Sequence, residues 1–392
     1  MASYIERRKF LATLGAAAAW PLAARAQQPA MPVIGFLSPG TLEADTNRMN
    51  SVRRGLAEIG YVEGQNVAIE YRGAQYQYGH LPALAVDLVS RQVSVIIVVS
   101  ITPTLAAKAA TNTIPIVFSV GGDPVQFSVV TSLNRPVGNI TGVYNLNTAV
   151  MGKRLELLRE MIPAAGVIAL LVNPNSAARE AETKELNEAA RALGLETRIL
   201  NATSESEIDA AFATLAKERS VPLVVSSDNL FTDRPVRLVV LAARHAIPAI
   251  YPYRWFAAAG GLMSYGPDLA EAYRLVGTYA GRILKGAKPA DLPIQQVVKV
   301  ELVINLKTVK APGITVPLPL SGRADEVIEL LGSVAVTWPS RRARSKASGC
   351  GGSACSPPLQ SRIKNQRPAS QHELPGLSAL ERRKDNNAAE TS

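Results

Sequence analysis

Val33-Ile34-Gly35-Phe36-Leu37 is followed by Ser38-Pro39-Gly40, and then by Met49, Val52, Leu56 and Ile59 at helical spacing. A β-branched run apolar on both faces, a turn of small residues and an amphipathic helix make one strand-turn-helix unit. The unit recurs. Val67–Tyr71 predicts a second strand, with Leu81, Leu84 and Leu88 on the helix that follows. Val95–Val99 predicts a third, followed by Ser100-Ile101-Thr102-Pro103-Thr104 and a helix through Leu105 and Ala109. Ile116-Val117-Phe118 is a fourth, leading into Ser119-Val120-Gly121-Gly122-Asp123, and Asn139–Val143 closes the series.

The alternation resumes with a helix carrying Met151, Leu155, Leu158 and Ile162. Strands are expected at Val167–Val172, Thr197–Leu200, Leu223–Val225, Ala249–Tyr251 and Leu262–Ser264, separated by helices that reach Leu193, carry Ile208, Phe212 and Leu215, and span Val236–His245. Strands alternating with helices build parallel, doubly wound sheets, so the expected fold is α/β with two such lobes and a hinged cleft between them. The first lobe is read as residues 32–143 plus about 266–286, the second as 144–265 plus about 290–330. Chain crossings are expected at Gly142–Asn147, Tyr265–Asp268 and Lys285–Pro293, with a helix from Leu269 to Leu284 returning to the first lobe and Val297–Ile304 to the second.

Composition limits the function. The chain has 392 residues, 47% hydrophobic and 19% charged, which suits about two globular domains rather than a disordered or fibrous protein. The formal charge of +10 sits at the ends. Residues 1–31 hold Arg7, Arg8, Lys9 and Arg25 against Glu6, and residues 331–392 hold ten Lys or Arg against four acids, so residues 32–330 are nearly neutral. A neutral core offers no footprint for phosphate backbones, and no nucleic-acid partner is expected.

The paired Arg7-Arg8 ahead of Phe10-Leu11, the apolar run to Ala24 and the small residues Ala24 and Ala26 read as an export signal of twin-arginine type over residues 1–26, and hence as a periplasmic address. No later stretch is long and apolar enough to span a bilayer, so membrane embedding is not expected. The two cysteines, Cys350 and Cys355, fall in the tail, and His80 and His245 stand singly. No metal, cofactor or thiol chemistry is expected from them, and the phosphate-loop, dinucleotide and nucleophile-elbow patterns are absent.

Open parallel sheets bind ligands outside the carboxyl ends of their strands, where helix N-termini offer unpaired N–H groups. Small polar residues gather there: Ser38, Thr102, Ser119, Asp123, Asn145, Asn173 and Asp228 are the candidate ligand-binding side chains. Hydroxyls and amides suit a carboxylate, and Asp123 or Asp228 suits an ammonium group. Each could equally be an N-cap, for which these residue types are preferred. Tyr144, Tyr251, Tyr253 and Trp255 are either aromatic walls of the same cleft or core.

An ordered set of blocks carries a family resemblance: Pro32–Ser38, Gly60-Tyr61-Val62-Glu63-Gly64-Gln65-Asn66-Val67, Ile114–Phe118, Asp123-Pro124-Val125 and Asn139–Val143. Arg154–Leu158, Asn173-Pro174-Asn175, Ala246–Tyr251, Gly261–Gly266 and Ile283–Gly286 continue it. Over about residues 32–330 the chain resembles a family of ABC transporter substrate-binding proteins. The resemblance implies a type I periplasmic-binding fold that closes by a hinge on a small polar solute, an amino acid or related carboxylate. It also implies a monomer whose partner is the transmembrane permease of an importer, and no catalysis.

Two other readings stand beside it. One is an exported two-lobe enzyme using Asp123, Asp228 or His245 as acid or base; the other is a receptor that presents its ligand to a membrane sensor. At the C-terminus the family's Arg-Ala-Asp-Glu-Val-Ile-Glu ending is present at 323–329, but Ala311-Pro312-Gly313 and Leu318–Gly322 are less regular, so a last helix there is expected to pack poorly. Residues 331–392 read as a disordered basic tail, either sequence past the natural end or a contact for lipid or nucleic acid.

Overall fold

The computed structural model describes residues 31–328 except 135, 137, 219–220 and 310–315. The expected signal at 1–26, Ala311-Pro312-Gly313, both cysteines and the tail from 331 lie outside the described residues.

The strand runs form as read, with ends shifted by up to three residues. In the first half they are β1 (Val33–Ser38), β2 (Ala68–Gly73), β3 (Val95–Val99), β4 (Ile116–Val120) and β5 (Ile140–Asn145). The second half holds β6 (Val167–Val172), β7 (Glu196–Asn201), β8 (Leu223–Val225), β9 (Ala249–Tyr251) and β10 (Met263–Pro267), and then come β11 (Gln295–Val297), β12 (Val300–Asn305) and β13 (Glu326–Ile328). They build two sheets, in the orders β11-β5-β4-β3-β1-β2 and β13-β12-β10-β9-β8-β6-β7. Central strands such as β3, Val-Ile-Ile-Val-Val, are buried at every position because helices cover both faces. The edge strands β2 and β7 are only half buried and carry Glu70, Arg72, Glu196 and Arg198, charges that discourage further strand pairing.

Helices fill the connections: α1 (Thr46–Glu58), α2 (Leu81–Ser90), α3 (Ile101–Ala110), α4 (Met151–Met161), α5 (Arg179–Ala192) and α6 (Glu205–Leu215). A four-residue turn α7 (Asn229–Thr232), α8 (Pro235–Arg244), α9 (Arg254–Ala258) and α10 (Leu269–Leu284) follow. The long α10 returns to the first lobe and lies on α1 with backbone touching backbone. An ideal Cβ on Gly277 would sit 2.1 Å from the Val52 carbonyl oxygen, and one on Gly55 only 1.9 Å from that of Arg274.

The chain leaves the first sheet after Asn145, leaves the second after Pro267, and leaves the first again after Val297. Three details differ from the sequence reading. Tyr144 and Asn145 belong to β5 in the first sheet, since the strand's buried run continues past Val143. The third crossing falls at Val298 and Lys299 rather than at Lys285–Pro293, because β11 pairs in parallel with β5 and keeps residues 295–297 in the first sheet. The sheets are parallel apart from the β10–β12 pair, which is antiparallel. β12 enters from the crossing with Val300 opposite Pro267, so it starts where β10 ends and must run back along it. After a helical turn at Leu318–Ser321, Glu326–Ile328 adds the short strand β13 beside β12.

Two of these crossings share one side chain. Arg154 on α4 is fully buried, and its guanidinium donates to the carbonyls of Tyr265 at 2.7 Å and Asn147 at 3.3 Å, and to Asn147 Oδ1. Burial lowers this guanidinium to a pKa of about 10, against the pull of Tyr253, Glu182 and Tyr265.

Candidate ligand-binding cleft

A cavity of about 50 Å³ lies between the loops at the carboxyl ends of the two sheets. Four of the seven sequence-predicted residues line it: Thr102, Ser119, Asn145 and Asp228. Thr102 Oγ1 also accepts from Ala177 N of the opposite lobe at 3.1 Å. Asn173 stands behind the wall, and its Nδ2 donates to Asp228 Oδ1 at 3.0 Å.

The other two are consumed by their own turns. Ser38 Oγ accepts from Gly40 N at 3.0 Å, and Asp123 Oδ1, on an exposed loop, accepts from Val125 N at 2.8 Å. Neither lines the cavity. Neither caps a helix, the alternative left open by the sequence; both oxygens instead hold i,i+2 turns. Nor are Asp123, Asp228 and His245 brought together: His245 follows the C-terminal end of α8.

Asp228 holds the centre. It is the N-cap of α7, with Oδ1 accepting from Leu230 N at 3.0 Å, while Oδ2 accepts from the Tyr78 hydroxyl at 2.7 Å. Burial raises its carboxyl above the ordinary 3.8, opposed by the hydrogen bonds from Tyr78, Asn173 and Leu230. Asp228 is the only Asp, Glu, Lys, Arg or His among the described residues lining the cavity, so that lining offers one carboxyl group and no cationic side chain. Neutral donors face it from the first lobe. They are the hydroxyls of Ser100, Thr102 and Ser119, the Asn145 amide, and the start of α3. At the head of that helix Ser100 has φ +73°, a left-handed conformation that costs a non-glycine residue about 1–3 kcal/mol.

Sequence reasoning missed Tyr78 and Tyr273, which line the cavity from the segment after β2 and from the inner face of α10. Among the aromatics it did single out, Tyr253 lines the cavity and stacks on Trp255 with ring centres 4.4 Å apart. Trp255 itself donates from Nε1 to the Thr232 carbonyl of α7 at 3.2 Å, and Tyr251 stacks on Phe256 in the core.

Polar contacts hold the lobes against each other. Besides Tyr78–Asp228, the Ser100 hydroxyl bonds Asn229 Oδ1, Tyr76 OH donates to Asp233 Oδ2 at 3.1 Å, and Arg48 reaches Asp233 Oδ1 at 2.5 Å. Arg48 also pairs with Asp45 at 2.6 Å, and Asp45 accepts from Tyr71 OH at 2.7 Å. Burial pulls the Arg48 guanidinium down, but Asp233, Tyr273 and Asp45 outweigh it and hold it above its ordinary value.

Residues 33–328 match the model of a family described as ABC transporter substrate binding protein. A tyrosine-binding protein of Clostridioides difficile is 28% identical over 258 residues, which is 66% of this chain and 74% of that one. A crystal structure of a conserved domain protein from Vibrio cholerae superimposes with a TM-score of 0.70 at 25% identity, covering 76% of this chain and 99% of that one. An ABC domain from Streptococcus pneumoniae in complex with L-Trp gives 0.68 at 23%, with the same coverage, and so shares the fold.

Proposed function

The chain belongs to the ABC transporter substrate-binding proteins, and we propose that it captures an α-amino acid between its lobes and delivers it to a membrane permease. The observation that carries this reading is the lone carboxylate of Asp228 facing a wall of neutral donors. An ammonium group is the match for a buried carboxylate that only neutral donors otherwise hold. The ligand's own carboxylate finds the hydroxyls of Thr102 and Ser119, the Asn145 amide and the N–H groups at the head of α3, where the helix dipole favours an anion. A dicarboxylate or a simple carboxylic acid would place unbalanced negative charge against Asp228. The tyrosine-binding relative supports the amino-acid class.

Capture works by hinge closure. The donors for the carboxylate sit on the first lobe and Asp228 on the second, so both halves of a zwitterion are satisfied only when the lobes meet. The ligand therefore stabilises the closed form by as much as it prefers it, and the permease reads that form. An export signal at residues 1–26 would place this work in the periplasm.

Calorimetric titration of the purified chain tests the reading, using amino acids from alanine to tryptophan, their deaminated acids and their decarboxylated amines. At least one amino acid is expected to bind, its deaminated analogue not to bind, and Asp228→Asn to weaken binding by about 10- to 100-fold, the worth of one charge-assisted hydrogen bond. Equal binding of an amino acid and its deaminated analogue would overturn it.

A further inference from the structure

Most polar side-chain contacts between the lobes end on one short piece of the second lobe, the turn α7 and the aspartates that flank it. Tyr78 holds Asp228 at its start, Ser100 holds Asn229 within it, and Tyr76 with Arg48 holds Asp233 at its end. The Arg234 guanidinium adds a stack 3.9 Å above the Tyr76 ring. Among the described residues, the Thr102–Ala177 bond and the two bonds of Thr148, just past the first crossing, to the Gly121 carbonyl land elsewhere. The two aspartates differ in one respect. Asp228 lines the cavity, whereas Asp233, Arg48 and Tyr76 do not, although the Asp233 carboxylate is just 2% exposed and that of Asp45 wholly buried.

We propose that α7 separates recognition from closure: Asp228 selects the ligand, while Asp233, clasped by Arg48 and Tyr76, sets how firmly the lobes close and thereby scales the affinity for every ligand alike. The proposal rests on the hinge-closure reading above. Apparent affinity is the intrinsic affinity of the closed form multiplied by the fraction of protein able to adopt it. A contact made only on closure, and touching no ligand, enters that second factor alone. Arg48, Tyr76 and Asp233 meet this description.

The arm that supplies the tyrosines adds a second observation. Gln75 and Tyr76 are successive non-glycine residues at φ +50° and +64°, both left-handed. Such strain persists only where surrounding contacts overdetermine it. Here the arm is pinned at its base by Gln75 N to Gly40 O at 3.1 Å and Tyr76 N to Pro39 O at 2.6 Å, and at its tips by the two aspartates of the other lobe. The clasp thus closes on an arm that its own lobe already holds in place.

Asp233→Asn tests this, since Arg48 keeps Asp45 as its partner in the variant. Titrated with the amino-acid panel used for wild type, it is expected to bind every ligand about tenfold more weakly or worse, one decade being about 1.4 kcal/mol, with the ratios between ligands unchanged and dissociation faster. Tyr76→Phe, which removes one hydroxyl, is expected to give a smaller loss of the same uniform kind and serves if Asp233→Asn does not fold. Small-angle scattering at saturating ligand should still record contraction in both. Asp228→Asn, by contrast, should alter the ratio between amino acids and their deaminated acids. Binding by Asp233→Asn as tight as wild type, or a change in its ligand ranking, overturns the proposal. Failure of wild type to bind any amino acid would instead strike the functional reading beneath it.

Discussion

Gly277→Ala puts one methyl group into the contact between α1 and α10. An ideal Cβ there lies 2.1 Å from the Val52 carbonyl oxygen, 2.9 Å from its carbon and 3.0 Å from Leu56 N, all backbone atoms that no rotamer change can move aside. A carbon–oxygen contact needs about 3.3 Å, so the helices must part by roughly 1 Å. The face of α1 that would be lifted carries Met49, Val52 and Leu56, each at most 4% exposed. Overpacking of this kind costs about 1–3 kcal/mol, and backbone-on-backbone contact lies at the upper end. Replacing a helical glycine returns about 1 kcal/mol of propensity. The net expectation is a loss of about 2 kcal/mol, read by urea unfolding followed by circular dichroism. Gly152→Ala in α4 is the control. Its Cβ would meet nothing nearer than the Ala189 methyl at 3.3 Å, so it should stay within about 0.5 kcal/mol of wild type. If the two variants proved equally stable, the close approach of α1 and α10 would be refuted, and with it the seating of the crossing helix on the first lobe.

Two further outcomes are expected. Ala246, just past the C-terminal end of α8, has φ +52°, a position that favours glycine; Ala246→Gly should raise stability by about 0.5 kcal/mol, and an unchanged or lower thermal midpoint would count against the left-handed cap. Burial raises the Glu182 carboxyl above its ordinary 4.5, opposed by the Ser227 hydroxyl and N–H. A raised folded-state value contributes stability that is complete below pH 4.5 and is lost as the pH climbs through the folded value. Glu182→Gln removes that dependence, so its thermal midpoint should gain on wild type as the pH rises above 4.5, whereas parallel curves would contradict the burial argument.

The sequence made the strands readable because runs such as Val95–Val99 and Val167–Val172 are apolar at every position and end in Ser, Asn, Gly or Pro. It could not give strand direction, which is why the antiparallel entry of β12 was not anticipated: periodicity carries no sign. Nor was β11 legible, being three residues long with Gln295 and Gln296 exposed. In the cleft, Thr102, Ser119, Asn145 and Asp228 follow from the rule that ligands lie beyond strand carboxyl ends. Tyr78 and Tyr273 obey no such rule, because a long side chain reaches the site from an arm or a helix flank whose address depends on how the lobes meet.

The bonds of Arg154 bear on what kind of joint this is. Its single guanidinium holds the carbonyls of Asn147 and Tyr265, one from each of two strands of chain that cross between the lobes. Were those strands free, the proposed opening could combine bending, twisting and sliding, each strand giving independently. Bonded to one planar, buried group, they can turn only together, and the third crossing at Val298 and Lys299 is left to follow. For the closure proposed above, Arg154 would serve as an axle, tying two of the three crossings to one buried group so that the Ser100 and Asp228 sides of the cleft meet in the same register.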